Sequence, residues 1–197
     1  MIAIQGKLPR EVTVAFSGGV DSVAIVDFLK NNHTVNLVFI NHGTETSSIA
    51  ETFVTTYAEN NDLALHVFSI NTTVPIGVSQ EEHWRNERYS IFHSFDTPVI
   101  TGHHLDDCVE QWLFSSLHGK GNIIPYANRN VIRPFRLNKK EEFIRWCNKR
   151  DVNWVEDKSN QDTKYMRNFI RHEILPRALL VNPGLHKVVR KKILNEV

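Results

Sequence analysis

The chain has 197 residues, 41% apolar and 23% charged, proportions ordinary for a soluble globular protein with room for one sizeable domain and a small appendage. No apolar stretch approaches a membrane span, residues 1–10 lack the apolar core of a signal peptide, and Cys108 and Cys147 form no Cys-x-x-Cys pair. A membrane protein, a disulfide framework and a thiolate zinc site are disfavoured, and a cytoplasmic location is expected. The net charge of +1 hides a division: residues 1–120 hold 6 Lys/Arg against 14 Asp/Glu, and residues 121–197 hold 17 against 8. The basic third suits a polyanion and the acidic remainder a metal or cationic substrate, although charged helix faces that merely cluster would give the same counts.

A first predicted strand, 11–16, runs into Ser17-Gly18-Gly19-Val20-Asp21-Ser22 and a helix over 20–30. Paired glycines before a helix N-terminus can cradle a phosphate. The Walker lysine is missing and Asp21 stands in the loop, which suggests a magnesium ion held partly by that carboxylate. A glycine corner used only for tightness is the plainer alternative.

A strand at 35–41 ends in Asn41-His42-Gly43, followed by a helix at 48–60 and a strand at 63–70. The helix at 79–95 starts with a Ser79/Glu82 capping box and carries Trp84, Arg85, Arg88 and Tyr89, whose rings could stack on bases or simply fill the core. Strand 98–101 ends in Thr101-Gly102-His103-His104. The next helix, 106–117, places Asp107 and Glu110 on one face, where they repel unless magnesium or an ammonium group sits between them. A zinc site at His104 and Asp107 lacks further ligands, and Asp106 as a helix cap is the bland reading.

Residues 119–130 read as a mobile loop or a joint, with a weaker strand at 131–132. Helices are predicted at 139–150, 164–175 and 183–195, the last with Asn182 as N-cap and Pro183 first. Arg167 and Arg171, one turn apart, could clamp an anion or form surface salt bridges. The alternation predicts an α/β fold: a doubly wound, mostly parallel five-stranded sheet with a C-terminal helical extension, divided as 1–125 and 126–197. Ligands then belong beyond the carboxyl ends of the strands, where the polar clusters fall.

The Ser17–Ser22 run resembles the loop of the N-type ATP pyrophosphatases, which cut ATP between its α and β phosphates and hand AMP to a substrate oxygen. Thr101-Gly102-His103-His104 with Asp106, Asp107 and Glu110 narrows the likeness. So do the 81–89 run, Arg133-Pro134 before Glu141 and Glu142, and the 154–176 run with Asp157, Ser159, Asn160, Asp162, Arg167, Asn168 and Arg171. Together these resemble the tRNA(Ile)-lysidine synthase family, in its order, from about residue 12 to 176.

That resemblance implies an adenine nucleotide alpha hydrolase-like fold, ATP and Mg2+ as cofactors, tRNA as partner and free lysine as co-substrate. The wobble cytidine of a minor isoleucine tRNA would be unstacked and adenylated at its C2 oxygen, and lysine would displace AMP to give lysidine. Ser17, Gly18, Gly19, Val20, Asp21, Ser22, Asn41, His42, Gly102 and His103 would bind ATP, with Asp21 as metal ligand. Asp21, Asp107 and Glu110 would be catalytic, the last two anchoring the lysine ammonium and taking its proton. Arg85, Arg88, His104, Arg167, Asn168 and Arg171 would hold tRNA or substrate.

Set against that resemblance, the end soon after Arg190-Lys191-Lys192 leads to the expectation of a short form without the family's further C-terminal domains, and Thr44 and Glu45 stand where leucine and arginine are usual. The rivals are a tRNA thiolase on the same scaffold, a small-molecule amide ligase and a non-catalytic tRNA-binding module.

Overall fold

The structure, a computed structural model, describes residues 2–156 and 163–196. Asp157, Ser159, Asn160 and Asp162 lie outside the described residues. Strands β1 (Glu11–Ala15), β2 (Thr34–Asn41), β3 (Leu65–Ser69), β4 (Val99–Ile100), β5 (Ala127–Asn128) and β6 (Val131–Ile132) form one sheet in the order β3-β2-β1-β4-β6-β5. Every pairing is parallel except β5 with β6. Val12, Thr13 and Val14 of the central β1 are buried in succession, as a strand covered on both faces requires. The order reverses between β1 and β4, which opens a crevice beyond their carboxyl ends.

Helices α1 (Val20–Leu29), α2 (Glu45–Asn60) and α5 (Lys140–Arg150) cover one face around Val12, Val14 and Leu37, while α3 (Gln80–His93) covers Val38, Ile40 and Val99 on the other. A separate cluster joins α4 (Leu105–Leu117) to α7 (Leu175–Val181) and α8 (Leu185–Leu194) through Val109, Leu175 and Val189. The segment after residue 125 contributes β5 and β6 to the sheet and Phe135, Phe143 and Cys147 to the main core. It also fastens the start of the chain. Ala3 N donates to Asn138 Oδ1 and Asn138 Nδ2 donates back to Ala3 O, both at 2.7 Å, and Gln5 N reaches Pro134 O at 2.8 Å.

Four expectations are corrected. The sheet has six strands rather than five, because part of the expected loop 119–130 pairs as β5. Asn130 fixes this hairpin by donating to Phe92 O and Phe95 O at the end of α3. Helix α2 begins at Glu45, not residue 48, since the Thr44 hydroxyl caps Ser47 N. The predicted helix 164–175 is instead α6 (Met166–Phe169) followed by a π-helical segment, Ile170–Ile174, in which Leu175 N–H bonds Ile170 O. Pro176 has no N–H to continue an α-helical ladder, and the wider turn precedes it. Asn182 does not cap the last helix: its Oδ1 accepts from Gly184 N at 2.9 Å in a preceding turn, and Gly184 is the cap.

Candidate functional site

The phosphate loop lies beyond β1. Gly18 has φ +79°, and a Cβ there would stand 3.0 Å from Phe53 Cδ1, so both conformation and space select glycine. Gly19 instead has an ordinary extended conformation as N-cap of α1, and among the described residues no side-chain cap bond closes the first turn. Those groups are thus available to an anion. Ser22 Oγ donates to Gly19 O at 2.9 Å and lies 3.3 Å from Ser17 Oγ, while Val155 N holds Gly18 O at 2.9 Å from above.

Asp21 completes this loop with a buried Oδ1 that has no hydrogen-bond partner among the described residues. Burial raises its pKa, partly offset by His104 and Lys140. An orphaned carboxylate oxygen beside an anion cradle fits Mg2+, which uses one or two carboxylates and completes its shell with phosphate oxygens and water. Among the described residues no group of three or more His, Cys, Asp or Glu could hold a metal, which leaves a zinc cage without ligands.

His104 joins the loop to the acidic helix. Its Nε2 is 3.8 Å from Asp21 Oδ1, and its Nδ1 accepts from Asp107 N at 3.4 Å as the N-cap of α4. Asp107 Oδ2 returns the bond from His104 N at 2.9 Å, closing a capping box. Asp106 is therefore not the cap. It accepts from Lys140 N and His186 Nε2, both at 2.8 Å, and so ties α4 to α5 and α8. Gly102 packs beside the loop, where a Cβ would sit 3.5 Å from Asp21 Cβ.

Asp107 and Glu110 do share a face, and the cation between them is a guanidinium. Arg171 Nε and Nη2 reach the two Glu110 oxygens at 2.7 and 2.9 Å, and Nη2 is 3.1 Å from Asp107 Oδ1. Burial alone would raise Asp107, but His104, His103, the His104 N–H and Arg171 together lower it. Burial raises Glu110 despite Arg171. Two adjacent carboxyls are thereby driven apart in acidity, a pattern that separates acid and base roles.

Beside them lies a cavity of about 150 Å3. Glu81, Asp107, Glu110, Gln111 and Arg167 supply its polar lining, and Phe114, Met166 and Ile170 its apolar wall. A broader hollow of about 550 Å3 lies by Lys30, Thr34 and Asp62, where β2 begins, at the opposite end from the crevice that binds ligands in such sheets.

The remaining expected residues are spread around this centre. Asn41 spends its side chain on Gly43 N and Glu51, shaping the turn after β2. His42 packs against Trp84 with ring centroids 5.0 Å apart and planes tilted by 39°, and burial lowers its pKa to about 4. His103 is lowered to about 3 by burial, with Nδ1 2.8 Å from Thr101 Oγ1. Arg85 lies 4.9 Å over the Tyr89 ring, Arg88 keeps a buried Nε without a hydrogen-bond partner among the described residues, and Asn168 is buried. Arg167 and Arg171 do not form one clamp: Arg167 Nε turns to Glu81 at 3.7 Å and Arg171 turns inward. Sequence reasoning passed over Glu81, Phe114 and Met166 as cavity residues. The position of Glu81 one turn before Arg85 was the available signal for the first.

The sequence profile of the PP-loop domain matches residues 3–178. The chain belongs to the PP-loop domain family. This PP-loop chain is 31% identical over 198 residues to a protein named tRNA(Ile)-lysidine synthase in Vibrio parahaemolyticus serotype O3:K6, covering 92% of the chain and 45% of that protein. It is 34% identical over 191 residues to the one so named in Vibrio vulnificus strain YJ016 (87% and 43%), and 31% over 193 to that of Legionella pneumophila strain Paris (89% and 44%). It thus spans less than half the length of these relatives.

Among solved structures, the chain resembles the U34-tRNA thiolase NcsA from Methanococcus maripaludis with its [4Fe-4S] cluster. The TM-score is 0.72 and the identity 14%, covering 96% of this chain and 73% of that one. The NH3-dependent NAD synthetase from Campylobacter jejuni gives a TM-score of 0.51 at 12% identity, covering 96% and 86%. At such identities the likeness concerns the fold. No helix among the described residues is long and apolar enough to cross a membrane.

Proposed function

We propose that this PP-loop chain is an ATP-dependent RNA-modifying ligase that adenylates the wobble cytidine of a minor isoleucine tRNA and joins lysine to it. The observation that carries this reading is the acidic cavity at Asp107 and Glu110, linked to the phosphate loop through His104. Its carboxylates suit an ammonium group, while Phe114, Met166 and Ile170 offer apolar contact to a methylene stem. The names of the relatives point the same way.

The first-turn N–H groups after Gly18 and Gly19 would hold the polyphosphate as the cytidine O2 attacks the α-phosphorus and the α–β bridging bond breaks, releasing pyrophosphate. Mg2+, held by Asp21, would supply charge neutralisation on the phosphates. The lysine ε-nitrogen then forms a bond to C2, the C2–O bond breaks to release AMP, and the proton passes to Glu110, whose carboxylate burial makes a stronger base than an exposed glutamate. Arg171 orients Glu110 for that transfer.

The thiolase alternative would call on sulfur carried by cysteine. Both Cys108 and Cys147 are fully buried, and burial pushes their thiols up to about 12 and about 11, which opposes thiolate chemistry. The test is to incubate protein with ATP, Mg2+, lysine and tRNA, omitting each in turn, and to follow AMP and the mass of the modified cytidine. Lysine-dependent AMP release with a lysine-sized gain supports the reading. Sulfur-dependent gain supports the thiolase, and binding without pyrophosphate supports the non-catalytic module.

A further inference from the structure

The rings expected to stack on bases are taken up inside the fold. Trp84 packs on the core around Val38 and Val99 with His42 beside it, and Tyr89 joins the same core, its Oη accepting from Arg133 Nη2 at 2.6 Å. Among the described residues the exposed Phe, Tyr and Trp side chains are three others: Phe114 (36%), Tyr165 (44%) and Phe169 (42%). All three come from the two segments that build the acidic cavity. Phe114 lines it, one turn beyond Glu110 on α4. Tyr165 and Phe169 share one turn, closed by Phe169 N donating to Tyr165 O at 2.9 Å, and their neighbours Met166, Arg167 and Ile170 line the same cavity.

Single exposed apolar side chains need no explanation, but these gather at one opening. The turn also reverses the usual sorting of a helix, burying Asn168 while Tyr165, Met166 and Phe169 stay in water. Charge decides what fits there. Arg167 stands between Tyr165 and Phe169 in sequence and meets Glu81 at 3.7 Å, with both side chains more than half in water. Exposed rings beside an exposed guanidinium suit an unpaired nucleotide, whose base lies on a ring face while its phosphate meets the cation. On the α4 side the His118 ring lies 4.5 Å from that of Phe114 and lengthens the surface.

We infer that Phe114, Tyr165 and Phe169 form an aromatic rim on which an unpaired base of the RNA substrate stacks at the mouth of the acidic cavity. The inference rests on the RNA substrate of the proposed function and adds how the strand is held open there. Ring faces do this without reading the identity of the base, because every base has a face to stack.

The test uses fluorescence anisotropy with a short unstructured RNA containing one cytidine, and with a set of the same RNA carrying one abasic position at each place in turn. With the unaltered protein, one abasic position is expected to weaken binding about tenfold, by the same factor at low and high salt, since stacking releases no counterions. Phe169→Leu keeps apolar bulk and removes the ring. It should cause a similar loss with the complete RNA and no further loss with that abasic RNA, while Phe169→Trp restores the affinity and thermal melting is the same for all three proteins. Equal binding of the complete RNA by parent and Phe169→Leu, additive losses in the combination, or a loss that shows only as a changed salt slope would overturn the rim. If the unaltered protein binds no RNA, both the rim and the tRNA reading fall. Ring-dependent RNA binding without lysine-dependent AMP release supports the rim and sinks only the lysine reading.

Discussion

Arg171 holds Glu110 by both carboxylate oxygens, and the same guanidinium stands 3.1 Å from Asp107. One cation thus neutralises two acids that would otherwise repel, and leaves them unequal, with Asp107 low and Glu110 high. Arg171→Met removes the guanidinium that lowers Glu110, so the Glu110 pKa rises further. The acid limb of the pH profile for AMP formation should move to higher pH, with kcat/KM down about a hundredfold. Arg171→Lys keeps the charge but loses the two-pronged geometry and should fall between. A profile that stays in place would remove Glu110 from the proton step.

Asp21 is a different case, since its raised pKa means that the charged form weakens the fold. A carboxyl with a folded pKa above its unfolded value costs stability as pH rises through that interval. Asp21→Asn should therefore be at least as stable as the parent in urea at neutral pH, the difference closing toward the ordinary aspartate value of 3.8. Mg2+-dependent ATP binding should be lost. Retained Mg2+ dependence in a calorimetric titration would displace Asp21 as the metal ligand.

The two loop glycines should not respond alike. Gly18→Ala forces a side chain into a left-handed conformation and toward the Phe53 ring at 3.0 Å, at a cost of about 1–2 kcal/mol before the clash. Gly19→Ala, with its ordinary φ and a nearest contact of 3.4 Å to Ser17 Oγ, should cost less. Urea denaturation of the pair gives the ranking, and equal costs would contradict the loop geometry.

Asp106 and Asp107 make the fold acid-sensitive. Burial opposes both charges, but the Lys140 N–H, His104 and His186 lower Asp106, and His104, His103, the His104 N–H and Arg171 lower Asp107. Carboxyls with depressed folded pKa values stabilise the fold above the unfolded value, and that contribution disappears as pH falls through the folded one. The urea midpoint should drop below pH 3.8. Asp106→Ala should blunt the drop and cost about 2 kcal/mol at neutral pH, from its lost bonds to Lys140 N and His186. Parallel pH curves for parent and variant would refute the assignment.

Cys108 and Cys147 should both resist a thiol reagent in the native protein and react only on unfolding, as their complete burial requires. A Cys108→Ala, Cys147→Ala protein that folds should retain lysine-dependent AMP release. Rapid native labelling would reopen sulfur chemistry.

The phosphate loop and the acidic helix were legible because each is written locally: glycines at a strand end, and acids three apart after it. The cap of α4 was not, since Asp106 reads as a better helix starter than His104, and only the fold brings Lys140 N and His186 to claim Asp106. The spacing of Arg167 and Arg171 suggested one face, but the π-helical segment beginning at Ile170 accompanies their divergence toward Glu81 and Glu110. Strand β5 escaped notice as two polar-flanked residues whose pairing is secured by Asn130 reaching α3. Arg133 could not be read either, because its acceptor Tyr89 is distant in sequence.

The clasp between Ala3 and Asn138 carries a consequence for the order of folding. Closing a loop of that length comes late and slowly, so in refolding followed by hydrogen exchange the Ala3 amide, held by Asn138, should gain protection after the Leu37 amide, which is bonded to Ala64 O.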